Sequence, residues 1–150
     1  MKLKTEGAQT LLAYWERLKE GKRLPSTADL DLVDIAPILA NVVVYEKVDD
    51  DFGIRFFGTE LVKRLGIDLT GTNTSVYKDD PFGQLTIDHL NQVIEGPLIL
   101  VAEYNSETNE GPILEIEQIM LPVADKSGMP RGVLSRVPRT PGVHPNSSEA

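Results

Sequence analysis

Apolar residues along this chain follow two kinds of spacing, and the switch between them divides it into elements. From Ala8 to Glu20, the residues Ala8, Leu11, Leu12, Trp15 and Leu18 recur at three- and four-residue intervals and make one stripe of a helix. Gly21 closes it. Between Ala28 and Ala40, Asp29, Asp31 and Asp34 alternate with Leu30, Leu32, Val33 and Ile35. Pro25 and Pro37 break that stretch into short helical turns, because each biases the preceding residue away from the helical region. The period then drops to two. Val42, Val44 and Val48 share one face of a strand over 41–48, and Val43, Tyr45 and Lys47 share the other. A turn at Asp49-Asp50-Asp51 and Gly53 leads into a second strand, Ile54-Arg55-Phe56-Phe57.

Helical spacing resumes after Gly58, with Leu61, Val62 and Leu65 on one side, Thr59 as the expected N-cap and Gly66 as the stop. The polar stretch from Asp68 to Pro81 reads as connection. A longer helix from Pro81 to Glu95 offers Phe82, Leu85, Leu90, Val93 and Ile94 for burial and ends before Gly96-Pro97. Three strands follow, Leu98–Asn105, Ile113–Val123 and Arg131–Val137, joined by hairpin-type turns. The pattern predicts an α+β fold. It also predicts three segments: an N-terminal helix over 1–22, a core over 23–137, and a flexible tail over 138–150 rich in proline and small polar residues.

The chain has 150 residues with 41% hydrophobic content, which suits one globular core. Its formal charge of −8 disfavours a nucleic-acid partner, since the densest basic group, Lys19, Lys22 and Arg23, is interleaved with Glu16 and Glu20. The aspartates of 29–34 lack the glycine and distal glutamate of a calcium loop. No apolar run approaches the ~20 residues that span a bilayer, and the first residues lack the apolar core of a signal peptide, so the expectation is a cytoplasmic protein without membrane insertion.

Several segments carry a family resemblance: Tyr14-Trp15 with Leu18, Gly21, Arg23 and Pro25; Arg55-Phe56-Phe57-Gly58-Thr59-Glu60-Leu61; Asp68-Leu69-Thr70-Gly71; Leu121-Pro122-Val123 and Gly132-Val133-Leu134. Over about 11–137 the chain resembles a small bacterial family of stand-alone PAS-like domains. The resemblance implies a five-stranded antiparallel sheet with helices on one face and an N-terminal amphipathic helix. It implies a sensory or regulatory protein acting in trans through a ligand or protein partner, and a homodimer paired through the N-terminal helix. Leu11, Leu12, Trp15 and Leu18 are the candidates for that pairing, although the same stripe also serves as cover for the chain's own core.

Arg55, Thr59, Tyr77, His89 and Tyr104 are the candidate ligand-binding residues, being the polar side chains suited to line a mostly apolar cup. Arg55 is expected to point to one sheet face with Ile54 and Phe56 on the other, and to pair with a carboxylate. No cofactor is required. A haem ligand at His89, which PAS resemblance brings to mind, rests on one helical histidine, and an adduct-forming flavin needs a cysteine where the chain has none. The other histidine, His144, lies in the tail. No Ser-His-Asp set, glycine-rich phosphate loop or HExxH motif occurs, and Glu115 with Glu117 reads as a solvated strand face, so an enzyme is not expected. A small-ligand carrier or enzyme using the same cup, and a ligand-free homodimeric adaptor, stand as the alternatives.

Overall fold

The computed structural model describes residues 2–107 and 113–137, with the side chains of Phe82, 104–107 and 113–115 outside the description. Helix α1 spans Glu6–Lys19, with Thr5 as its N-cap and Glu20 in the left-handed region at its end. Two 3-10 segments follow, Thr27–Asp29 and Leu32–Asn41, the second kinked at Ile35. Strands β1 (Val42–Val48) and β2 (Asp51–Phe57) form a hairpin. Helix α2 is Thr59–Leu65, a 3-10 turn covers Thr74–Tyr77, and helix α3 is Pro81–Glu95. Strands β3 (Leu100–Glu107), β4 (Ile113–Ala124) and β5 (Pro130–Arg136) complete one five-stranded antiparallel sheet in the order β2-β1-β5-β4-β3.

Both faces of this sheet are covered, because its strands alternate apolar residues to either side. Val42, Ile119, Leu121 and Leu134 pack with Leu11, Tyr14 and Trp15 of α1 and with Ile35. Val43, Tyr45, Met120 and Val133 pack on the opposite side with Leu61 of α2 and with Leu90, Val93 and Ile94 of α3. Trp15 is fixed further by its indole N–H, which donates to the carbonyl of Pro122 at 2.8 Å. Its neighbour Tyr14 both accepts from the Asp31 N–H and donates to the Asp31 carbonyl, tying α1 to the 3-10 segments.

Four expectations need correction. Gly53 lies inside β2, and the hairpin turn is confined to Asp49 and Asp50, with Asp49 at φ 56°. Gly58, not Thr59, occupies the N-cap of α2, where its missing side chain matters: a Cβ there would meet the Ala40 carbonyl oxygen at 2.2 Å. Leu85 is 42% exposed, on the solvent side of α3. Glu117 is not solvated at all. It is 1% exposed on the face that packs against α1, where period-two alternation placed an outer surface. His144 and the tail from 138 lie outside the described residues.

Candidate functional site

On the cup side of the sheet, a floor of Val43, Tyr45, Met120 and Val133 packs directly against Leu61 of α2 and Leu90, Val93 and Ile94 of α3. Two buried polar residues interrupt this apolar floor. Gln118 and Ser135 are 5% and 0% exposed, and they share the sheet face of Met120 and Val133 by the alternation of β4 and β5. Gln118 Nε2 donates to Ser135 Oγ at 3.4 Å, a long contact between two polar side chains in an apolar setting. At the cup's edge, Lys47 lies over the Phe52 ring and donates to Asn91 Oδ1 of α3 at 3.3 Å.

Of the residues singled out from the sequence, Tyr77 reaches this core, whereas Arg55 and Thr59 lie outside it. Arg55 sits in a β-bulge: Val44 pairs with Phe56 and Tyr45 with Ile54, leaving Arg55 without a cross-strand partner. The bulge sends Ile54 and Phe56 to opposite cores, so the expected sharing of one face fails. The guanidinium turns outward to Glu46 Oε1 at 2.7 Å, a structural pair with both side chains about half exposed. Thr59 is exposed at the start of α2. Tyr77 packs partly buried against the cup's core, and His89 is half-buried on α3. Tyr104 lies on β3 with its side chain outside the description. Of the α1 stripe, Leu11 and Trp15 are buried in the chain's own core, and Leu12 and Leu18 pack partly buried against it.

Sequence reasoning missed a second buried polar group, on the face beneath α1. Glu117 accepts the Lys4 N–H at 2.7 Å, the Thr5 N–H at 2.9 Å and the Thr5 hydroxyl at 2.6 Å. Burial by itself raises its pKa, and these hydrogen bonds more than offset that, so the carboxyl lies below its ordinary value. Arg136, 9% exposed, is opposite Ile119 on the same face, with its guanidinium against Gly7, where a Cβ would come within 1.9 Å of the guanidinium carbon. Burial lowers its pKa to about 10, against the raising effect of Glu117. A charged residue between apolar neighbours on β4 was the available signal for this group, and period-two reasoning assigned it to solvent.

A half-open cleft of about 420 Å³ lies at the end of the β4–β5 hairpin, lined among others by Lys22, Arg23, Ser26, Asp125, Lys126 and Gly128. Among the described residues no group of three or more His, Cys, Asp or Glu side chains is placed to hold a metal ion. No described helix is long and apolar enough to cross a membrane.

A five-stranded antiparallel sheet, with helices inserted after its second strand, defines an α+β domain of the cup-shaped class. The family profile described as PAS domain matches residues 3–136, and the chain belongs to that family. Solved structures share the fold at low identity. A light-oxygen-voltage domain studied with a flavin analogue is 12% identical, with a TM-score of 0.52 over 74% of this chain and 82% of that one. A cysteine-to-valine variant of the fungal photoreceptor VVD is 17% identical, with a TM-score of 0.51 over 92% and 99%. VqmA of Vibrio cholera, solved in a ligand–DNA complex, is 12% identical, with a TM-score of 0.57 over 73% of this chain and 51% of that one. No curated protein sequence matches.

Proposed function

We propose that this PAS domain is a cytoplasmic regulatory module that binds a small molecule in the α2–α3 cup and passes the bound state to a partner protein in trans, without catalysing a reaction. The Gln118–Ser135 pair carries the reading. Two buried polar side chains joined by one long hydrogen bond, in a floor of valine, methionine and tyrosine, match the sparse polar groups that orient a ligand in an apolar pocket. Tyr77, packed against the cup's core, and His89, half-buried on α3, remain candidates, whereas the outward pairing of Arg55 with Glu46 supports a structural role for that arginine. The VqmA complex holds a ligand and DNA; for this chain, the net charge of −8 argues against a nucleic-acid partner.

The test is native mass spectrometry with an absorbance spectrum on protein purified from its own host. A retained small molecule that is lost from Gln118→Leu supports the cup as its site. Apo protein in both preparations overturns ligand binding and leaves the ligand-free homodimeric adaptor. That second reading draws on Leu65, Ile67 and Val76, which are 50%, 54% and 68% exposed around α2 and the turn before α3. A homodimer would use such a surface, since the α1 stripe is already engaged with the chain's own sheet.

A further inference from the structure

Glu117 and Arg136 lie on one sheet face, two residues apart diagonally across the β4–β5 ladder, a spacing that long side chains bridge. Yet Arg136 makes no ion pair among the described residues, and Thr5 stands between the two. Its hydroxyl donates to Glu117 at 2.6 Å and accepts from Arg136 Nη1 at 3.5 Å. Arg136 Nε is buried with no hydrogen-bond partner among the described residues. A buried guanidinium with an unmet donor is costly, and its natural carboxylate partner is taken by the N-terminal segment through Lys4 and Thr5. The docked arrangement therefore gives Glu117 three donors and leaves the Arg136 Nε donor unmet.

We propose that residues 4–8 are a two-state latch: docked, Thr5 wedges Glu117 apart from Arg136; undocked, Glu117 and Arg136 close into a direct pair. The sheet thus competes with the N-terminal segment for the same carboxylate. Two contacts mark which residues move between the states. The Ala8 N–H rests on the Thr5 hydroxyl at 3.3 Å, so the first turn of α1 loosens when Thr5 leaves. The guanidinium packs against Gly7, so the residues that contact the pair are those that must move. The latch is a property of this face and does not need a ligand; its use as an output rests on the regulatory reading above.

Amide hydrogen exchange on the full chain, followed by NMR at residues 4, 5 and 8 and in β4 and β5, tests it without any ligand. Thr5→Val removes the wedge's hydroxyl and should speed exchange of those N-terminal amides about tenfold while leaving the strand amides unchanged. Arg136→Met removes the competitor and should slow exchange of the same amides. Faster or unchanged exchange in Arg136→Met overturns the latch, because a merely supportive arginine would loosen the segment when removed. Should that variant not fold, exchange-transfer NMR on the native chain decides. A minor state that shifts the Arg136 Nε signal together with the Lys4 and Thr5 amides is expected, and independent behaviour of the two overturns the proposal. A cup without ligand and a sheet without latch thus fail in different experiments.

Discussion

Glu117 is held as a carboxylate inside the protein by three donors from two consecutive residues, and that ties stability to pH. Its pKa is depressed in the folded state, so its contribution is complete above its unfolded value and is lost as pH falls through the lower folded one. Glu117→Gln should therefore flatten the acid side of the stability profile, below about pH 4.3, as measured by urea midpoints across pH. A variant with the native slope there would mean that another carboxylate carries the acid sensitivity. Arg55 makes a contrast at the same scale. Its pair with Glu46 is half exposed, so Arg55→Ala should cost under ~1 kcal/mol in urea unfolding despite its conspicuous place in the sequence.

The elements depend on a few close backbone approaches that no propensity scale contains. Gly58 ends β2 and caps α2 while its Cα faces the Ala40 carbonyl, and its N–H donates to the carbonyl of Val42 at 2.9 Å. Gly58→Ala keeps an allowed φ of −64°, so the cost is a clash with backbone rather than a dihedral penalty. A loss of about 2–4 kcal/mol in chemical unfolding is expected, and a near-neutral variant would show that the 3-10 segment before β1 yields. The same scale explains why Ile54 and Phe56 part to opposite faces around Arg55. Strict alternation along β2 predicts one face for Ile54 and Phe56, but the bulge opposite Val44 and Tyr45 inserts a residue and reverses the count.

For the whole molecule, α1 is part of the core and not an appendage to it. Leu3, Ala8, Leu11, Tyr14 and Trp15 are all buried against the sheet. At roughly 1.5–3 kcal/mol for each large side chain, removing this cover forfeits an amount comparable to the ~5–15 kcal/mol stability of a typical domain. Deletion of residues 2–20 should leave a chain with no cooperative thermal transition, or one that self-associates through the bared face; calorimetry with sedimentation distinguishes the two. A deletion variant that melts cooperatively as a monomer would show instead that the core from β1 onward stands alone.

The sequence by itself determined the order and type of the elements, because apolar period is a local signal: 3.6 residues for α1 and α3, two for the strands, with glycine and proline at the ends. It also carried the family, through Tyr14-Trp15 and the segment from Arg55 to Leu61 that joins β2 to α2. Tertiary structure decided which polar residues are inside. Glu117, Arg136, Gln118 and Ser135 look like ordinary strand residues in a linear reading, and for Glu117 alternation across a sheet with one wet face predicted solvent. Both faces are covered here, one by α1 and the other by α2 and α3, so alternation separates two cores and not core from solvent. Burial of Glu117 and Arg136 follows from the layer that α1 adds, and burial of Gln118 and Ser135 from α2 and α3; both are long-range packings of helices on strands that no local pattern encodes.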